Sequence, residues 1–489
     1  MATMLSPETT PSLTVMPPRA ESHPSSDPRP HVVILGGGFA GINAAKALRR
    51  ANARVTLIDR RNFHLFQPLL YQVATASLSP SDIAYPIRSI LRRQRNATVL
   101  LAEATAVDLD RQEVVLRNGR MPFDYLVVAT GNQESYFGHD EWKRQAPGLK
   151  SMEDALRIRR QVFQAFEHAE LETDPERRRR LLTFVIVGGG PTGVELAGAL
   201  AEIAHQTLRK EFRTFDPASA RILLVEGSPA LLNGYPPRLS TAAQRSLERL
   251  GVEVRTGTRV IGMEPGVVHL RDEDIAAETV LWAAGVTANP IGTTLGTELA
   301  SGNRVPVTET LALAGHPNVY VVGDLAASTD RRGRDLPGVA QVAMQGGRTA
   351  GKNIARALQG KPPKPFHYVD KGTMATIGWN RAVAKIGPFQ LTGFLAWAIW
   401  ATIHVVYLIN FRSRLTVAVQ WAWSYLTRSR SSRLITGDAA LSDRAQPAAA
   451  GRLTSPTPSA SGDHPEYRRD HSGLFLRDGD AREAGCPQA

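Results

Sequence analysis

A glycine-rich turn set between a short apolar strand and a helix of small residues occurs twice in this chain, at Gly36 and again at Gly188. The first copy reads HVVILGGGFAGINAAKALRRANARVTLIDR from His31. Residues 31–35 are apolar enough for a strand buried on both faces, as in a parallel sheet. Gly36, Gly38 and Gly41 then carry the G-x-G-x-x-G spacing. The first two permit a tight turn and the close approach of a pyrophosphate, and the third lets the next helix pack closely on the strand. That helix is predicted over about 41–50. A second strand over 54–58 runs into Asp59, a carboxylate placed to accept hydrogen bonds from a ribose diol. In the second copy a strand over 182–187 precedes Gly188, Gly190 and Gly193, a helix begins near Thr192, and the strand over 221–225 ends at Glu226. A lone glycine fingerprint says little, but here strand, helix, strand and terminal acid follow in order both times. Two complete units point to two nucleotides held face to face, and a flavin, FAD, with a nicotinamide is the pair between which hydride passes directly. A carboxylate at Glu226 favours a free 2′-hydroxyl and repels a 2′-phosphate, and no arginine adjoins it, so NADH is expected over NADPH. The other reading of Glu226 is a side chain facing solvent beyond its strand.

Composition narrows the field. The chain has 489 residues, 43% of them hydrophobic, enough for two or three domains. Its single cysteine, Cys486, excludes a disulfide framework, a cysteine-ligated zinc and an internal redox disulfide. His64, His139 and His404 have no partners at metal-ligand spacing, so no metal site is expected. The formal charge is +12, but no helix-turn-helix or zinc-finger spacing is present, and no nucleic-acid partner is expected. Seven of the basic residues lie between Arg381 and Arg433, a stretch without Asp or Glu that surrounds the most apolar part of the chain. That pattern favours an anionic membrane surface. Residues 1–30, rich in Pro, Ser and Thr and without an apolar run, read as a disordered lead-in, and 434–489 as a disordered tail.

Three more segments fit flavin chemistry. YLVVATG ends at Gly131, its counterpart VLWAAG ends at Gly285, and NVYVVGDLA carries Gly323 and Asp324 at a strand end, where an acid can meet a ribityl hydroxyl. Each also fits a plain strand-turn unit. The order along the chain predicts an α/β protein with FAD-binding residues 31–150, an NADH-binding insertion over 151–294, and a return to the first domain over 295–365. A quinone-site and membrane-anchoring region follows over 366–433. Ser151 and Asp154 offer a capping pattern for a helix over 151–170.

From about His31 to Leu426 the sequence resembles a type II NADH:quinone dehydrogenase, close to the actinobacterial form. The resemblance rests on HLFQPLLYQVATASLSP from His64, GGGPTGVELAGALAE from Gly188, VAQVAMQGG from Val339 and FHYVDKGTMATIG from Phe366. It implies two Rossmann-like domains of the glutathione-reductase kind with a C-terminal membrane-anchoring helical segment. It also implies bound FAD, no proton pumping, a homodimer, and attachment to the lipid bilayer surface. By that resemblance Gly36, Gly38, Gly41, Asp59 and Asp324 hold FAD, and Gly188, Gly190, Gly193 and Glu226 hold NADH. Glu195 lies where nicotinamide, flavin and quinone meet. Gln341 and Gln345 line the quinone channel, and Lys371 of the D-K-G turn lies near the flavin. The chain departs from the family at Ala199, often a second glutamate, and at Met344, often more polar in eukaryotic members.

Hydride transfer needs stacking and alignment rather than a nucleophile or metal. Without redox cysteines, a membrane quinone is the remaining electron sink. Gln341 is then a donor to a quinone carbonyl and Glu195 a proton relay. Their plain readings are a loop or cap residue and a carboxylate suited to the start of a helix. The alternatives for the whole chain are an NADH oxidoreductase of the same fold using another acceptor, an apoptosis-inducing-factor-like NADH-binding protein, and a scaffold with a vestigial fold. For the segment 391–410, free of charged residues, two membrane readings compete: a span of about 30 Å and a helix lying in the surface. The surface reading is preferred, on the cytoplasmic face of the cell membrane, with tryptophans and tyrosines in the interfacial belt and the basic residues beside them.

Overall fold

The structure, a computed structural model, describes residues 27–427, Arg430 and 432–436. Of the predicted lead-in (1–30) and tail (434–489), residues 1–26 and 437–489 lie outside the described residues.

The first apolar strand, His31–Leu35, is completely buried and pairs in parallel with Arg54–Asp59 on one side and Tyr125–Val128 on the other. Ala97–Leu101 extends the sheet beyond Arg54–Asp59, and His316–Val321 joins it beside Tyr125–Val128 from almost two hundred positions downstream. The insertion between those two segments builds a second parallel sheet, in the order Val252–Arg255, Arg221–Val225, Thr183–Val187, Thr279–Trp282. Each sheet carries a three-stranded antiparallel excursion at the same place in its order, Ala104–Pro122 in the first and Val260–Ala276 in the second. The two halves are thus structural repeats. They are joined by a two-stranded ribbon, Asn132–Glu134 against Val286–Ala288. Ser151 caps the helix Met152–Leu171 as its sequence suggested, in a reciprocal capping box with Asp154.

The C-terminal region is a three-stranded antiparallel sheet, Thr373–Thr376, Ala382–Ile386 and Phe389–Thr392, followed by the helices Gly393–Tyr407 and Phe411–Thr427. Here the spanning alternative for 391–410 fails, not the preferred surface reading. The first two residues of the apolar run pair in the sheet, Gly393 turns the chain at φ +73°, and Leu408 leaves the helix again. Fifteen helical residues reach about 22 Å, short of a hydrocarbon core of about 30 Å. No helix among the described residues is long and apolar enough to cross a membrane. Nor are the aromatic residues all interfacial. Trp400 is buried and stacks on Trp421 at 5.2 Å, while Leu408 and Val417 enter the main core.

Two arginines expected at the membrane are paired within the protein instead, one at the surface and one in the core. Arg433 pairs with Glu211. Arg430 forms a buried ion pair with Glu202 at 2.8 Å and donates to Thr75 O at 2.9 Å and Ser77 Oγ at 2.7 Å. Removing one partner of such a pair strands the other charge without water. Arg430→Ala is therefore expected to cost about 3–5 kcal/mol, while Glu202→Met with Arg430→Met recovers most of it. Thermal melting of the three proteins checks this, and equal melting of the single and double variants would refute it.

Candidate active site

The two glycine turns have the same geometry. Gly36 and Gly188 sit at φ +100° and +111°, closed to other residues. A Cβ on Gly41 or Gly193 would lie 1.8 Å from the carbonyl oxygen of Gly36 or Gly188, so only glycine lets the helix approach its strand. A Cβ on Gly38 or Gly190 would meet nothing within 4 Å. The bare backbone at these helix N-termini is where a diphosphate fits. Asp59 accepts from the backbone N–H of Gly37 at 2.5 Å and Arg61 at 2.7 Å, and Glu226 accepts from Gly189 at 2.5 Å and Ser228 at 2.6 Å. Each carboxylate is held by its own turn and keeps lone pairs for ribose hydroxyls. Burial pushes the Asp59 carboxyl above its ordinary value, against the pull of those two N–H groups.

A cavity of about 1320 Å³ starts at Gly36–Gly38 and Asp59, passes Gly131 and Asp324, and ends between Glu195, Lys371 and Tyr407. Drug-sized ligands use about 300–1,000 Å³, so the space suits an extended dinucleotide with room beyond it. Asp324 accepts from Asn132 Nδ2 at 2.8 Å, and its carboxyl is raised by burial and drawn back by Lys150. Gly323, at φ +73°, makes the turn that presents it. Gly188, Gly190, Gly193, Glu226 and Gly285 lie outside this wall, which reaches the second turn only at Pro191 and Thr192. The large cavity and the second glycine turn therefore meet at the first turns of the helix Pro191–Glu202, where Glu195 sits.

At the far end, the helix Ala340–Ala357 packs on Phe39–Ala47 at close range. A Cβ on Gly347 would lie 2.0 Å from Ala40 O. The glutamines of this helix act as clips. Gln341 donates to Gly372 O at 2.7 Å and accepts from Lys371 N–H at 3.1 Å, and Gln345 donates to and accepts from the backbone of Val369 at 2.9 and 3.0 Å. Gln341 lines the cavity, but Gln345 does not. Lys371 Nζ donates to Tyr407 Oη at 2.8 Å. Glu195 has one weak partner, the Thr376 N–H at 3.4 Å, and burial pushes its carboxyl up to about 8. That shift favours the protonated form at neutral pH.

Sequence reasoning missed several wall residues. His404 donates from Nδ1 to Trp400 O at 2.8 Å, leaving Nε2 as an acceptor, and burial pushes its pKa down to about 4. Lys150 and Tyr71 also line the cavity, and burial pulls the Lys150 amine below its ordinary value. Tyr71 lies within the HLFQPLLYQVATASLSP segment, whereas Lys150 and His404 stand in no recognisable spacing. Their place follows from the folding of distant segments against one another. His64, by contrast, lies behind the first turn and donates from Nδ1 to Gly37 O at 2.9 Å.

Residues 30–347 match the pyridine nucleotide-disulphide oxidoreductase family, and residues 371–430 match the NDH2 C-terminal domain. The type II NADH:quinone oxidoreductase NdhA of Mycobacterium tuberculosis is 45% identical over 426 residues, covering 83% of this chain and 90% of that protein. A Staphylococcus aureus type II NADH:quinone oxidoreductase is 31% identical over 75% of this chain and 92% of its own. NDH2 from Plasmodium falciparum, solved in complex with NADH, shares the fold with a TM-score of 0.76, 20% identity, and coverage of 84% of this chain and 100% of that one. The sulfide:quinone oxidoreductase of Aquifex aeolicus shares it more distantly, with a TM-score of 0.63, 19% identity, and coverage of 79% and 91%. With 45% identity carried over most of both chains and a matching C-terminal domain, this chain belongs to the type II NADH:quinone oxidoreductase family.

Proposed function

We infer that the protein oxidises NADH and reduces a membrane quinone, without proton pumping. The observation that carries this is the single cavity joining the first glycine turn, the head of the second nucleotide helix and the pocket under the C-terminal helices. FAD held there would supply the redox chemistry, that of a two-electron carrier between NADH and the quinone. The chain positions and shields. Gly36, Gly38, Gly41, Asp59, Gly131, Gly323 and Asp324 form the FAD cradle in this reading, and Gly188, Gly190, Gly193, Glu226 and Gly285 the NADH cradle. Gln341 and Gln345 fix the 369–372 turn, so that Lys371 is held against Tyr407 beside the cavity. Glu195, protonated at neutral pH, is the proton donor to the quinone oxygen. The test is a two-step experiment on the flavin-loaded protein: NADH bleaches the flavin anaerobically, and an added quinone restores it. Bleaching without restoration would reject the quinone.

The same reading places the protein as a homodimer on the cytoplasmic face of the membrane, lying on the lipid surface. Phe394, Leu395, Phe411, Leu415 and Trp423 are 56–78% exposed on the two C-terminal helices, beside Arg412. Short helices with an apolar face and basic flanks lie in the interface rather than across it. Changing Phe394, Phe411 and Trp423 together to Ser is expected to weaken binding to anionic vesicles roughly a hundredfold. Half-inserting three such side chains is worth on the order of 2–4 kcal/mol. Vesicle flotation checks this, and unchanged binding would move the attachment elsewhere.

A further inference from the structure

A second cavity, of about 110 Å³, lies on the far side of Glu195. Glu195 and Tyr71 belong to the walls of both cavities and so form the partition between them. Glu195, Ala199 and Glu202 follow one another at i, i+4 and i+7 on the helix Pro191–Glu202, and all three face the small cavity. The methyl group of Ala199 leaves open the space between the two carboxyl groups. Past Glu202 the helix widens into a π-turn, Ile203–Thr207, an uncommon feature that clusters at functional sites. From this turn Thr207 and the exposed Gln206 reach the cavity, giving it a mouth toward solvent.

The space is too small for a quinone with its tail, but it suits water. One water needs about 10–15 Å³ by the same kind of measure and two to four polar partners. The wall offers Ser77, Glu202, Gln206 and Thr207. A continuous hydrogen-bonded lattice braces the partition. Trp421 Nε1 donates to Gln72 Oε1 at 2.8 Å, Gln72 Nε2 donates to Tyr71 Oη at 3.0 Å, and Tyr71 Oη shares a hydrogen bond with Thr376 Oγ1 at 2.9 Å. The Thr376 N–H then points to Glu195. The wall of the large cavity mixes the apolar Met344, Met374 and Ile403 with Gln341, Lys371 and His404.

The overall reaction NADH + quinone + H⁺ → NAD⁺ + quinol draws one proton per turnover from water. The hydride supplies two electrons and the other proton. If Glu195 gives that proton, its O–H bond breaks as the quinol O–H bond forms, and the carboxylate must be reprotonated before the next turnover. We propose that the small cavity is a water-filled proton inlet that reprotonates Glu195 from the aqueous side, kept open by Ala199 and walled by the Glu202–Arg430 pair. This rests on the quinone reading above and adds the route by which its proton arrives.

The test uses flavin-loaded, full-length protein. Ala199→Leu fills the inlet, and Ala199→Ser keeps it open with a polar lining. Should the leucine variant fail to fold, Gln206→Leu with Thr207→Val closes the mouth at the surface. The closing variants are expected to lose at least tenfold in quinone turnover and to show a larger solvent deuterium isotope effect. They should keep the wild-type rate with ferricyanide, which takes electrons without protons, and Ala199→Ser should keep both rates. A crystal structure of the wild type should show ordered water between Glu195 and Glu202, absent in Ala199→Leu. Wild-type quinone turnover and isotope effect in the closed variants would overturn the inlet. So would a quinone seated in the small cavity. A wild-type protein that reduces ferricyanide but no quinone would instead overturn the reading on which the inlet rests.

Discussion

Gly193→Ala is expected to yield a yellow protein that NADH reduces at least a hundredfold more slowly, and Gly41→Ala a protein without flavin. The added methyl is the same in both, and in both its carbon would lie 1.8 Å from the carbonyl oxygen of the first glycine of the turn. No side chain can yield there, so the helix must move away from its strand. The shift displaces the helix N-terminus that faces the diphosphate. Misplacement by about 1 Å is enough to cost roughly a hundredfold in rate. The outcomes differ because the proposed assignment gives the turns different nucleotides: the first lines the large cavity, which reaches the second only at Pro191 and Thr192. Flavin content after purification and rapid-mixing reduction by NADH distinguish them, and chemical reduction of the Gly193→Ala flavin verifies that it is bound. A Gly41→Ala protein with full flavin, or a Gly193→Ala protein reduced at the wild-type rate, would mean that the two sites are wrongly assigned.

These turns were legible because their contacts are local. Gly36 meets Gly41 five positions on, and Asp59 returns to Gly37 across one strand-helix-strand unit, so the spacing alone carries the geometry. The capping box at Ser151 was legible for the same reason. What sequence could not supply were partners chosen by tertiary packing. A hydropathy count over 391–410 sees composition, but the sheet that claims Leu391 and Thr392, and the turn at Gly393, decide where the helix begins. Arg430 stood in a basic run beside an apolar segment, which favours lipid; its partner Glu202 lies more than two hundred positions earlier. By the resemblance, Gln341 and Gln345 of the VAQVAMQGG segment face a quinone channel. Their amide groups are taken up by the backbone of the 369–372 turn, and only Gln341 also reaches the cavity. That changes the expected consequence of altering them, from a lost hydrogen bond to the quinone to a displaced Lys371.

Glu195 gives the second large effect. Its carboxyl is raised to about 8 because burial penalises the charged form, with only the Thr376 N–H drawing it back. The groups that share its surroundings are the phenols of Tyr71 and Tyr235, the Glu202–Arg430 pair one cavity away, and Lys371 across the large cavity. An acid of this kind is loaded below about pH 8 and empty above it, so quinone turnover should be level at neutral pH and fall as pH rises through about 8. Glu195→Gln keeps the size and removes the proton. Quinone turnover should fall roughly 10²–10⁴-fold, the span of general acid catalysis, and the alkaline limb should vanish. The ferricyanide rate and flavin content should stay near wild type. Stability also falls with rising pH, but over a lower window. Between the ordinary carboxylate range and about 8, the folded protein holds a proton at Glu195 that the unfolded chain has released, so folding weakens with rising pH across that window. Glu195→Gln abolishes this term. The variant should therefore melt higher than wild type at pH 9 and alike at pH 5, a readout independent of turnover. Unchanged quinone turnover with an intact alkaline limb would remove Glu195 from proton transfer. Loss of turnover without the stability crossover would mean that its carboxylate is not the buried acid described.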